Sequence, residues 1–123
     1  MKLTKNFRKN EFDSKDGATM PCEALVNVCR LANQLQVLRN KLGKPIIINS
    51  GYRSPSHNKR VGGAKHSQHL LGNAADIRVQ GMTPKDVVKE IEKLISSGEM
   101  MQGGIGVYRG FVHYDIRGIK ARW

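Results

Sequence analysis

Leu25, Val28, Cys29, Ala32, Leu35, Leu38 and Leu42 recur at helical spacing and draw one apolar stripe along some twenty residues. No other feature restricts the fold as much, because a stripe of that length must be covered by another element. Pro21 can open this helix, Gly43 stops it, and Pro45 forbids continuation. Ile46-Ile47-Ile48 reads as a short buried strand, and Ala74 to Val79 returns to strand character. Thr83 then caps a second helix with Pro84 in its first position and Asp86 in its first turn. Val87, Val88, Ile91, Leu94 and Ile95 line its buried face, and Gly98 closes it. Gly104 to Tyr108 and Phe111 to Ile116, separated by Arg109-Gly110, predict a β-hairpin. Trp123, the single tryptophan, is costly to leave in water and is expected to pack against the body. The elements predict an α+β fold, a small antiparallel sheet with helices packed on one face.

With 123 residues the chain is expected to be one domain spanning residues 1–123, with one core and no need of staples. No apolar run approaches the roughly 20 residues that cross a bilayer. Met1 to Arg8 has no apolar segment of the kind a signal peptide needs. Cys22 and Cys29 lie on one helix, about 10 Å apart along its axis, which is beyond disulfide reach. They read as two small buried apolar groups. Lys and Arg number 21 against 10 Asp and Glu, a net charge of +11 that favours polyanionic partners. The basic residues are spread along the chain without a helix-turn-helix spacing or an aromatic-rich RNA motif, so no specific nucleic-acid partner is expected.

Asn49 to Gln68 is rich in Gly, Ser, Pro, Asn and basic residues, and irregular stretches of that length in compact domains are usually functional or disordered. His69, Asp76 and His113 sit beside it in strand or small-residue contexts. Two imidazoles and a carboxylate suit a catalytic zinc site, which takes three protein ligands and keeps a position for water. Read from residues alone, other metals suit these groups too, and each residue has an ordinary hydrogen-bonding reading. Strand alternation turns His113 and Asp115 to one face, about 7 Å apart at Cα, so Asp115 can orient His113 or accept a proton beside it.

Ser50-Gly51-Tyr52-Arg53-Ser54-Pro55, then Ser67-Gln68-His69-Leu70-Leu71-Gly72-Asn73-Ala74-Ala75-Asp76, then Phe111-Val112-His113-Tyr114-Asp115 resembles the zinc D-Ala-D-Ala carboxypeptidase family. Its wider superfamily includes the VanX and VanY peptidases, phage L-alanyl-D-glutamate endolysins, murein endopeptidases and the hedgehog signalling domain. The resemblance spans nearly the whole chain and matches every fixed position of S-x-H-x-x-G-x-A-x-D. It implies a hedgehog-like peptidase fold, with Zn2+ held by His69, Asp76 and His113. It also implies that Arg53 binds and polarises the substrate carbonyl, and that Ser67 binds substrate or supports a ligand. Tyr52 and Asn58 are expected to pack and fix the loop, and His57 to lie on its surface.

Many relatives place an acid three residues before the last histidine as general base, where this chain has Gly110. Asp115 is the expected replacement, with His66 the second candidate. The resemblance thus implies a monomeric zinc metallopeptidase, a carboxypeptidase or endopeptidase acting on peptidoglycan stem or cross-link peptides. The missing acid keeps open an alternative from another class, a catalytically impaired zinc-containing module that binds the wall. Action at the cell wall without a standard export signal is expected of a phage or prophage protein released on lysis, or of a bacterial protein exported by another route.

Overall fold

The computed structural model describes residues 1–123. A 3-10 turn, Lys9–Phe12, precedes α1, Cys22–Leu42, which Gly43 ends in the left-handed conformation with its N–H on the Arg39 carbonyl. β1 is Ile46–Ser50, α2 is Pro55–Arg60, and a second 3-10 turn covers Gln68–Leu71. β2 is Ala74–Val79 and α3 is Pro84–Ser96, whose cap is the Thr83 hydroxyl accepting from the Asp86 N–H. β3, Gly104–Val107, and β4, Val112–Asp115, form the hairpin, and β5 is Ala121–Arg122.

The five strands lie in the order β1-β2-β4-β3-β5. All pairs are antiparallel except β3 with β5, which is parallel, so the sheet is mixed rather than wholly antiparallel. β5 follows β4 by only a short turn but pairs with β3, and it extends the sheet by one short edge.

The alternation of strand residues gives the sheet two unlike faces. Ala75, Ile77, Ile105, Val112 and Tyr114 join Val28, Leu31, Leu35 and Leu38 of α1 and Val87, Ile91 and Leu94 of α3 in one apolar core. Asp76, His113 and Asp115 alternate with these residues and point to the opposite face, yet all three are buried. Polar groups that leave water in this way must find partners.

Four expectations need correction. Cys22 is exposed and Cys29 only half-buried, because both fall beside the stripe that Val28, Leu31, Ala32 and Leu35 carry into the core. The stretch 49–68 is not irregular throughout. Ser50 belongs to β1, and α2 sits inside it, capped by the Ser54 hydroxyl accepting from the His57 N–H. Trp123 packs against the body but stays 49% exposed. His57 is half-buried and does not line the cleft described below.

Candidate active site

A row of residues crosses the sheet at one level. Asp76 pairs with Ser50 on one side and His113 on the other, and His113 pairs with Gly106. Directly opposed residues share a face, so the row brings Ser50, Asp76 and His113 together on the face away from α1 and α3. The register depends on a bulge between Ile48 and Ser50, which sets Ser50 rather than Asn49 opposite Asp76. His69 arrives from the 3-10 turn, where Ser67 caps its backbone N–H.

His69, Asp76 and His113 are buried and each offers one ligand atom, all within 4.8 Å of one another. Their hydrogen bonds decide which atoms those are. The Nδ1 of His69 lies 2.7 Å from the Gly51 carbonyl, which can only accept, so Nδ1 carries the proton and Nε2 is left as a lone pair. The Nε2 of His113 lies 2.7 Å from the Asp115 carboxylate, which fixes its proton there and leaves Nδ1 free. Nε2 of His69 and Nδ1 of His113 then face the same Asp76 oxygen at 3.2 and 3.3 Å. In the neutral rings, two lone pairs and an anionic oxygen converge, an arrangement that calls for a cation between them. The donor set fits a metal such as zinc.

Charge in the cluster is finely opposed. Burial disfavours the Asp76 carboxylate, but His113 and His69 outweigh it and hold Asp76 below the ordinary carboxyl range. Burial likewise disfavours the charged form of His113, but Asp115 and Asp76 overcome it and raise its pKa. The second Asp76 oxygen accepts from the Nη2 of Arg53 at 3.1 Å. Arg53 also donates to the Ser50 hydroxyl and the Asn58 side-chain oxygen. Three of its N–H groups are thereby engaged, and two of the guanidinium's five donors remain. Buried Asn58 in turn donates to the Ala64 carbonyl and ties the 61–64 loop to Arg53.

Asp115 shares the face of His113, as alternation predicts, but its carboxylate lies behind the ring rather than beside a reacting water. It is fully buried and does not line the cleft. One oxygen accepts from the backbone N–H of Gly104 and Arg117 and from the Arg117 Nε, and the other accepts from His113 and the Arg117 Nη2. Burial opposes its charge, but these donors, His113 and Arg117 foremost, hold its pKa low. A carboxylate so occupied suits orienting His113 and does not suit taking protons, so the expected proton-transfer role does not match its position. Gly110, the position at which the resemblance leads one to expect an acid, lies in the β3–β4 turn with open space around it.

A cleft of about 510 Å³ opens over the row, with Arg53, Gly63, His66, Ser67 and Gln68 on one side and Tyr108, Phe111, Arg117 and Trp123 on the other. His66 is exposed at the cleft wall. The second wall was missed by reading the sequence. Its signal lies in β3, where Gly104 and Gly106 alternate and leave one face of a strand bare. A Cβ on Gly106 would lie 2.5 Å from the Trp123 Nε1, so the indole rests on that bare strand.

The chain also matches known proteins. The family model described as Peptidase M15 covers residues 3–115. The zinc D-Ala-D-Ala carboxypeptidase of Streptomyces albus G is 44% identical over 61 residues, 49% of this chain and 22% of that protein. The peptidoglycan L,D-endopeptidase MepK of Escherichia coli K12 is 35% identical over 94 residues, 69% of this chain and 48% of that protein. This chain therefore spans less than half the length of both relatives.

Proposed function

This chain belongs to the peptidase M15 family, and from that membership we propose that it is a zinc-dependent peptidase hydrolysing peptidoglycan stem or cross-link peptides. One observation carries the reading: two imidazoles with fixed tautomers aim their lone pairs at the Asp76 oxygen. His69, Asp76 and His113 would hold the metal. Zinc bound there supplies Lewis acidity and a water ionised near neutral pH.

The protein's own groups divide the remaining work. Arg53, pinned on three sides, keeps two donors for the substrate carbonyl oxygen as negative charge develops on it. His66 is the cleft side chain that takes a proton and returns it to the leaving amine. Asp115 orients His113 by holding its Nε2 proton. The Ser67 oxygen already accepts from the His69 N–H, so its hydroxyl hydrogen remains for a substrate carbonyl. One relative is named for peptidoglycan and the other for D-Ala-D-Ala, which supports peptidoglycan peptides as the substrate class, and action at the cell wall is part of this proposal.

Gly110 favours a second reading, a zinc-containing module that binds the wall without cutting it. Purified peptidoglycan fragments separate the two when products are followed by mass spectrometry, with chelator, after zinc restoration, and with His69→Ala. The peptidase reading expects new peptide ends that vanish with chelator and return with zinc. Retention on peptidoglycan with no new ends under any condition would establish the binding module instead.

A further inference from the structure

Trp123 is anchored far more firmly than a half-exposed side chain requires. Its N–H donates to the Ile105 carbonyl, and its own carbonyl accepts from the Val107 N–H. The indole Nε1 donates to the Tyr108 hydroxyl at 2.7 Å, and the Arg117 guanidinium lies 5.4 Å from the ring centre. Tyr108 is itself stacked on Phe111, with ring centres 4.5 Å apart and planes inclined by 8°. Gly106 beneath the indole has no side chain to displace it. The ring's one polar group is satisfied and its position is fixed, yet the residue stays 49% exposed and lines the cleft. Rigid aromatic surface left uncovered in a cleft is surface for a ligand.

Its position says which part of a ligand. The indole and the His113 imidazole have centres 4.9 Å apart. A group lying on the open indole is therefore within about one residue of the metal-binding row. The facing wall carries Arg53, His66, Ser67 and Gln68 and is polar and cationic. In an extended peptide successive side chains point to opposite sides, so one residue meets the aromatic wall while its neighbour meets the polar wall.

Resting on the peptidase reading, we propose that Trp123, seated by Tyr108, is a specificity-determining residue that receives the apolar side chain of a residue flanking the scissile bond. In the D-Ala-D-Ala for which the carboxypeptidase relative is named, that side chain is the methyl of an alanine. Removing one buried methyl costs a contact about fourfold in affinity, so a glycine at this position should be the poorer ligand by about that factor.

Because Trp123 is the only tryptophan, its fluorescence reports the contact independently of hydrolysis. The test mixes the zinc-loaded protein in a stopped-flow instrument with a stem peptide containing alanine at the flanking position, and with its glycine analogue. Cleavage of both is followed in parallel, and Trp123→Ala, with its zinc content checked, is compared for cleavage and for calorimetric binding. The proposal expects a saturable emission change before turnover and about fourfold weaker binding of the glycine peptide. It also expects that preference to fall to near unity in Trp123→Ala, mainly through KM. An unchanged preference in the zinc-loaded variant overturns it, as does silent emission while the peptide binds by calorimetry. Emission changes and a lost preference without cleavage would sustain the wall and overturn the peptidase reading. Cleavage with silent emission would do the reverse, and neither binding nor cleavage would overturn both.

Discussion

Replacing Asp115 with Asn puts the assignment of that residue at risk in a single experiment. The carboxylate accepts from His113 and the Arg117 Nη2 on one oxygen, at 2.7 Å each, and from three N–H groups on the other. An amide retains one oxygen, which can keep the three, but sets an NH2 group against the other two donors. Breaking a buried charge pair from one side costs about 3–5 kcal/mol. Arg117 is partly solvated, its side chain 31% exposed, so the lower end of that range applies. For a chain of this size about 3 kcal/mol lowers the midpoint of thermal unfolding by roughly 12 °C. The new NH2 also rewards the other His113 tautomer, whose Nε2 accepts and whose Nδ1 carries the proton. That proton sits where a metal would bind, and disturbing such a supporting carboxylate typically weakens metal affinity about 10–100-fold. Competition with a coloured chelator measures the affinity, and calorimetry measures the unfolding. A general base would behave in the opposite way: zinc affinity and unfolding midpoint preserved, turnover down by about two to four orders of magnitude. That second pattern would refute the orienting role of Asp115.

Arg53→Ala should lower turnover about two to three orders of magnitude with zinc still bound, the usual cost of one transition-state donor; wild-type rates on a cleavable muropeptide would count against it. Gly72 and Gly98 both have φ near +80°, but a Cβ on Gly72 would lie 2.5 Å from the Ala24 carbonyl oxygen while Gly98 faces open space. Gly98→Ala should cost about 1–2 kcal/mol of strain, and Gly72→Ala a further 1–3 kcal/mol of overpacking; equal losses in denaturant unfolding would contradict the close approach. Arg122 hydrogen bonds, partial burial notwithstanding, hold Glu92 below its ordinary pKa. The pair's stability is thus present above about pH 4.3 and is lost as pH falls below it. Both side chains are partly solvated, which limits the effect to roughly 0.5–1 kcal/mol. Glu92→Gln should remove that acid-side loss, and parallel stability curves from pH 3 to 6 for the two proteins would exclude it.

The parts of this fold that could be read from sequence are those whose signals are local. α1 and α3 carry apolar periodicity bounded by Gly43, Thr83 and Pro84, and β2 begins and ends where its residues predict. α2 has six mostly polar residues with no stripe and depends on the Ser54 cap and the tertiary bonds of Asn58. β5 is two residues long, too short for any period, and its parallel pairing is a property of the assembled sheet. The candidate ligands were legible through their motif, and the structure brings all three together. Asp115 shows the boundary. Alternation gives the face a side chain leaves from, but the atoms it reaches were decided by Gly104 and Arg117, whose donors draw the carboxylate behind the ring. Trp123 reads as a residue seeking cover, but its cover is only partial and it lines the cleft.

The seating of Trp123 bears on how the protein is handled. Because its carbonyl is bound to the Val107 N–H while its ring borders the cleft, any polypeptide attached after this residue departs from the cleft mouth. An oligohistidine purification tag joined there would hold several imidazoles at high local concentration beside His69 and His113, where they would compete for the same metal. Zinc stoichiometry, chelator resistance and peptide affinity measured on such a fusion would describe the tag as well as the protein. A tag removed by proteolysis, or chosen without metal-binding side chains, leaves the mouth clear.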